Sequence, residues 1–331
     1  LPRINCDVGY FGMRRISVYC NRMVRLMRGS NFVLVIVAVL WLVGCQEKLP
    51  LELTGEQSTA ALEVRVLPAI DSTLIVDASV DTSGVLQTEE QAYPATFLVN
   101  SVKTDFGTSR STFSYVRILL NDKKRPIQNL GKVIGYLGLD VGNAKVNTID
   151  LPKTDRPYRT WSSFSPKQNA GRAYTLVDQE NQPAADFTNT AGQPYRFVAD
   201  GRGAVSSFEI AIQSPEEITV LEPRAGSIVF RNEDLHMRWD GKRGGDVRLL
   251  ISSFDAKSNV SVKPLLEVLV HEGANSIIIP AKVLQGVRAN RDGRYLFSFI
   301  SSNRNTATVP GYSENVLVQA ASIHNVLLWL K

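Results

Sequence analysis

Three histidines, His236, His271 and His324, are the side chains of this chain best suited to proton transfer near neutral pH, and they lie far apart in sequence. His271 is followed by Glu272, as at the start of a zinc-binding helix. The residue four positions after His271 is Asn275, so the second imidazole that such a site requires is missing. There is no G-x-x-x-x-G-K-[ST] phosphate loop, no G-x-G-x-x-G after a strand and no G-x-S-x-G elbow. Nothing in the spacing points to a Ser-His-Asp arrangement. Asp178, Glu180, Asn181 and Asp186 crowd into DQENQPAAD, where dense oxygen ligands could hold a calcium ion. Their spacing matches no EF-hand loop, and a solvated turn accounts for the same composition. Cys6 and Cys20 are too few and too far apart for a zinc site. No metal and no cofactor are expected.

The remaining chemistry-bearing side chain is the thiol of Cys45, in FVLVIVAVLWLVGCQE, Phe32 to Glu47. Phe32 to Val43 is an uninterrupted apolar run, shorter than the roughly twenty residues a helix needs to cross about 30 Å of hydrocarbon. Arg25 and Arg28 precede it with no acid nearby, the charged-then-apolar order of a secretory signal peptide. A buried core helix fits less well, because the run has no polar face. Leu42-Val43-Gly44-Cys45 then resembles the bacterial lipobox. That resemblance implies a diacylglycerol on the Cys45 thiol and cleavage that makes Cys45 the first mature residue. Two or more acyl chains suffice for stable anchoring where one does not, so the mature chain is expected to be held at a membrane without spanning it. Gln46 follows the cysteine, and in lipobox proteins the absence of Asp there implies sorting to an outer membrane in a host that has one. Met23 is the favoured start, which makes 1–22 upstream sequence or an extended n-region and 23–44 the signal peptide. The Arg14-Arg15 pair lies too far from the apolar run to favour twin-arginine export.

Setting this segment aside changes the meaning of the composition. Six of the 37 basic residues and one of the 32 acidic ones fall in 1–44, so residues 45–331 carry equal numbers of each. A nucleic-acid partner is not expected of a chain with no net basic field. With Cys45 as its sole thiol the exported part forms no internal disulfide, and its stability must come from core burial.

The elements that must carry any site read as β-structure. Residues 45–60 are a polar tether. Short alternating runs follow, among them ATFLVNSV, STFSYVRILL, KVIGYLGL, PYRFVA and SSFEIAI, each bounded by Gly, Pro, Asn or Asp. Gln213-Ser214-Pro215-Glu216-Glu217 breaks the pattern, since proline cannot donate to a strand ladder. A second strand set begins at Ile218. In DLHMRW, Leu235, Met237 and Trp239 share one face, with His236, Arg238 and Asp240 on the other, which places Trp239 in a core. The fold class expected is all-β: two β-sandwich domains, 61–215 and 217–331.

Ile218 to Gly226, with Pro223 and Gly226 forming a bend after the first strand, Leu235 to Trp239, and Gly293-Arg294-Tyr295 opening a late strand together resemble bacterial immunoglobulin-like and fibronectin-III-like modules. The resemblance covers roughly residues 217–331 and implies an immunoglobulin-like sandwich without the antibody disulfide.

PYRTWSSFSPKQNAGR, Pro157 to Arg172, sets Tyr158, Trp161 and Phe164 among Arg159, Lys167 and Arg172. Exposed aromatics beside cations suit an envelope protein partner or a sugar ring, whereas the same rings would otherwise plug one end of a sandwich. Tyr158, Arg159, Trp161 and Phe164 are the candidate binding residues. The function expected is a non-catalytic binding or scaffold protein, lipid-anchored in the cell envelope. The alternative is an envelope enzyme acting on polysaccharide, which would need two carboxylates of 61–215 about 5 to 9.5 Å apart in a cleft.

Overall fold

The computed structural model describes residues 62–67, 93–158, 167–179, 187, 190–241, 246–255, 261–271 and 274–331. The expected signal peptide, tether and Cys45 lie outside the described residues. So do Arg159, Trp161, Phe164, Glu180, Asn181 and Asp186.

The described chain is almost wholly strand. In order it forms β1 (Leu62–Val66), β2 (Ala95–Asp105), β3 (Arg110–Asn129), β4 (Lys132–Gly138), β5 (Ala144–Val146), β6 (Ile149–Asp150), β7 (Lys153–Tyr158), β8 (Gln168–Gln179) and β9 (Pro194–Ala199). There follow β10 (Phe208–Gln213), β11 (Thr219–Glu222), β12 (Ile228–Val229), β13 (Leu235–Asp240), β14 (Val247–Asp255), β15 (Ser261–Val270), β16 (Ser276–Ile279), a short helix α1 (Ala281–Gly286), β17 (Arg294–Thr308) and β18 (Asn315–Leu330). One large sheet runs β1-β15-β14-β17-β18-β2-β3-β4-β8-β7, with β12 added beside β18. A four-stranded sheet, β10-β9-β5-β6, and a three-stranded sheet, β11-β13-β16, complete the set.

Two sandwich cores form where the small sheets face the large one. Leu235, Met237 and Trp239 of β13 project into the first, against Leu249 and Ile251 of β14, Val268 of β15 and Phe297 and Phe299 of β17. His236, Arg238 and Asp240 are exposed. The period-two reading of DLHMRW is therefore observed side chain by side chain. Trp239 is 1% exposed and tilts against Phe299 with ring centroids 5.4 Å apart. The second core joins Phe97, Val116 and Ile118 of the large sheet to Phe197, Phe208 and Ile212 of the four-stranded sheet. Phe97 stacks on Phe208 at 5.2 Å and tilts against Phe197 at 5.5 Å.

The break around Pro215 falls where the chain leaves β10 for β11 and so passes from one small sheet to the other. Beyond what the run pattern contained, the two cores share the large sheet. β17 and β18 are paired along fifteen residues, from Arg294↔Trp329 to Thr308↔Asn315. Val316, Val318 and Ala320 of β18 belong to the second core, and Val326, Leu328 and Leu330 to the first. β1, from the range assigned to the first sandwich, pairs with β15, and its Val64 packs in the core around Trp239.

The large sheet is buried on its opposite face as well. Leu98, Val102, Tyr115, Leu250, Ile300, Ala321 and Ile323 form a third apolar cluster there. Burial on both faces is why β18 reads as a near-continuous apolar run, in the manner of strands covered on two sides. One of its buried polar members, Asn325, donates from Nδ2 to Thr104 Oγ1 of the neighbouring β2 at 2.9 Å.

Glycine is required where strands cross closely. β4 and β8 touch at Gly138↔Gly171; a Cβ on Gly171 would collide with the backbone of Gly138, and one on Gly138 with the backbone of Arg172. The Pro223–Gly226 bend ends with Gly226 at φ +82°, a left-handed conformation that favours glycine.

Candidate functional site

β7 and β8 form an antiparallel hairpin at the end of the large sheet, with their last pair at Tyr158↔Gln168. Arg159, Trp161 and Phe164 thus fall in the connection between those two strand ends. Tyr158 is half-buried and its hydroxyl donates to Gln168 Oε1 at 2.5 Å, which closes the base of the connection. Behind it the hairpin is laced by polar contacts. Asp155 accepts from Asn169 Nδ2 at 2.7 Å and pairs with Arg172. Arg156, itself buried, donates to Asn121 Oδ1 at 2.9 Å and to the Tyr136 carbonyl at 3.3 Å. Pro157, which has no N–H to give, sits where the β7–β8 register slips.

One end of this edge meets the four-stranded sheet at Asp140. Its carboxylate accepts from Lys153 Nζ at 2.8 Å, Tyr174 Oη at 2.7 Å, the Gly142 N–H at 3.0 Å and Arg202 at 3.0 Å. Burial works to raise its pKa, but the bonds from Lys153, Tyr174 and Gly142 and the Lys153 charge outweigh it and hold the carboxyl far below the usual range. Tyr174 also accepts from the Val141 N–H at 2.8 Å; burial, together with its bond to the Asp140 carboxylate, pushes its pKa up. A carboxylate saturated by four donors and never protonated near neutral pH is not a general acid, and its lone pairs are already engaged. The cluster fastens the 139–143 segment to β7, β8 and the 200–203 turn.

The histidines are likewise placed by structure. His271 directly follows strand β15 and opens no helix, and its Nδ1 lies 3.5 Å from Asp246. His236 is on the exposed face of β13. His324 is buried on β18 at the seam between the two cores, where its Nδ1 accepts the Val220 N–H at 2.7 Å. Two residues before it, Ser322 Oγ accepts the Ile218 N–H at 3.0 Å. These two side chains pin the start of β11 to β18. Burial, and then the charges of Lys103 and Arg110, push the His324 pKa down to about 4.

Among the described residues no cluster of His, Cys, Asp and Glu has the make-up of a metal site, and no helix is long and apolar enough to cross a membrane. Sequence reasoning did not single out Asp140, Lys153, Tyr174 and Arg202. They come from four separate elements, and no local spacing announces them.

No family model and no curated protein matches this chain. Among solved structures it is similar to the fibronectin(III)-like modules of Clostridium thermocellum CbhA, 13% identical over 72% of this chain and 94% of that one, with a TM-score of 0.19. It is also similar to a chimeric titin Z1Z2-Z1Z2 tandem, 12% identical over 72% of this chain and 100% of that one, with a TM-score of 0.16. The all-β class rests on the sheets themselves. At these scores no residue correspondence is carried over.

Proposed function

We propose that this chain is a non-catalytic binding or scaffold protein, anchored to the cell envelope by lipid on Cys45. The reading is carried by Leu42-Val43-Gly44-Cys45 standing at the end of an apolar run that Arg25 and Arg28 precede. It is supported by the use made of the described ionisable groups: Asp140 and His324 are spent on holding segments together rather than left facing a cleft. The aromatic and cationic connection between Tyr158 and Gln168, at the end of the large sheet, is the proposed contact for an envelope protein or polysaccharide.

Cys45→Ser is expected to abolish metabolic labelling with fatty acid and to release the protein from membranes. Density-gradient fractionation of the parent in a two-membrane host should place it in the outer membrane, in keeping with Gln46. Unchanged membrane association and labelling of Cys45→Ser would end the anchor reading.

The binding reading has a separate test. A triple variant, Tyr158→Ala, Trp161→Ala and Phe164→Ala, should lower retention on isolated envelope polysaccharide or capture of envelope proteins by at least tenfold while leaving the melting temperature within a few degrees. A large fall in melting temperature would instead assign these rings to packing.

A further inference from the structure

The β3–β4 hairpin breaks two local rules at once. Asn129 pairs with Lys132, so the turn has two residues, Leu130 at φ +50° and Gly131 at φ +78°. Both central residues of such a turn are left-handed, a conformation suited to Asn-Gly and costly for a branched apolar side chain. Leucine nevertheless occupies the first position, and it is 73% exposed, with Val133 beside it at 44%. A turn that forgoes the residue favouring it, and gains no burial in return, is the kind of inconsistency that marks function.

The second departure lies in the ladder. The pairing steps from Asp122↔Leu137 directly to Pro126↔Tyr136, so Lys123, Lys124 and Arg125 have no partner residue on β4 and bulge from it. All three are exposed, as is Lys132 next to the turn. Lys123 meets Glu314 at 3.3 Å. Among the described residues no carboxylate lies within ion-pair distance of Lys124, Arg125 or Lys132. The only acid on the hairpin itself is Asp122, whose Oδ1 accepts the Lys124 N–H at 3.0 Å.

We propose that this hairpin is a contact site for an anionic lipid surface, with Leu130 and Val133 entering the headgroup boundary and Lys124, Arg125 and Lys132 meeting lipid phosphates. An apolar tip flanked by uncompensated cations is what an interfacial element needs: the apolar part enters and the long basic side chains remain at the phosphate level. A nucleic acid or a soluble polyanion would use the cations and has no use for the exposed Leu130. An apolar protein groove would use Leu130 and has no use for the bulge. The contact is independent of Cys45, because it depends on residues 122–133 alone.

Leu130→Trp in the full chain, compared with the parent, isolates the emission of residue 130 from that of the native tryptophans. Vesicles of phosphatidylcholine with and without phosphatidylglycerol, brominated in the acyl chains, should quench this added emission only when phosphatidylglycerol is present. High salt, or Lys124→Gln, Arg125→Gln and Lys132→Gln together, should weaken the quenching roughly ten- to a hundredfold in the lipid concentration required. Leu130→Asn, which suits the turn, should raise the melting temperature and reduce vesicle co-sedimentation several-fold. Absence of added quenching, equal quenching by neutral vesicles, or unchanged co-sedimentation of Leu130→Asn would each overturn the proposal. All of these variants are compared in a Cys45→Ser background, so that quenching and co-sedimentation report the hairpin and not an acyl anchor.

Discussion

Trp239→Ala in the full chain is expected to cost about 3 to 5 kcal/mol of stability, whereas His236→Ala, three positions earlier on the same strand and on its opposite face, should stay within about 0.5 kcal/mol. The indole is buried at the centre of the first core, against Phe299, and its removal leaves a cavity lined by strands of both sheets that cannot collapse independently. His236 lies on the exposed face of the same strand. The loss is a large part of the roughly 5 to 15 kcal/mol that holds a domain folded. Urea unfolding read by circular dichroism decides the matter. Trp239→Phe should fall between, because Trp239 Nε1 has no hydrogen-bond partner to lose. Equal tolerance of Trp239→Ala and His236→Ala would contradict the register of β13.

The second expected result is a loss of about 3 kcal/mol in stability as pH falls from about 6.5 to about 4, traceable to His324. Its imidazole is 2% exposed, and its Nδ1 lone pair is committed to the Val220 N–H. Protonation removes that acceptor and places a cation near Lys103 of β2 and Arg110 of β3; the opposing carboxylates, Asp105 of β2 and Glu217 ahead of β11, are already paired with Arg110 and Lys103. The folded pKa of about 4 lies below the unfolded 6.5, so between these values the unfolded chain binds more protons and stability rises with pH. Each unit of the difference corresponds to about 1.4 kcal/mol. The penalty is absent above 6.5 and complete below 4, a window that lies mostly above the titration of ordinary carboxylates. His324→Asn offers an amide oxygen in place of Nδ1 and does not titrate. Its stability should be nearly flat between pH 7 and 4.5 where the parent's falls. Parallel pH profiles for the two proteins would remove His324 from the account.

The class of the fold was legible because it is written in short-range patterns. Leu235, Met237 and Trp239 alternate with polar residues, and that alternation alone names the buried face. The Pro215 break is equally local, and it marks the passage between the small sheets. The shared sheet could not be read this way. β18 pairs in parallel with β2, and the partners Thr96 and Leu317 carry no mark of one another. Polar residues inside β18 work against the apolar reading too: Gln319, Ser322, His324 and Asn325 look like surface residues until their strand is seen covered on both faces. For the candidate site, the aromatic and cationic composition around Tyr158 was visible, and the structure places Tyr158 itself at the last pair of the β7–β8 hairpin. The Asp140 cluster was not visible, since a carboxylate's donors are chosen by tertiary approach. The basic run Lys123-Lys124-Arg125 was present in the letters. Its meaning depends on a register slip and on the backbone angle of Leu130, neither of which composition expresses.

The parallel pairing of β2 with β18 also dictates an order of assembly. Asn325 reaches Thr104 across 221 positions, and β1 waits for β15 in the same way. A chain delivered from its N-terminus, whether from a ribosome or across a membrane, holds nearly all of β2 through β17 before the strand that joins the two cores arrives. Until then β2 offers one open edge, with a row of unpaired backbone groups able to recruit a neighbouring chain. Long-range closure of this kind is slow, because the entropy of a large loop is lost before any contact compensates it. A chaperone that shields the β2 edge in transit would therefore have its greatest effect on yield, and little on the stability of the finished protein.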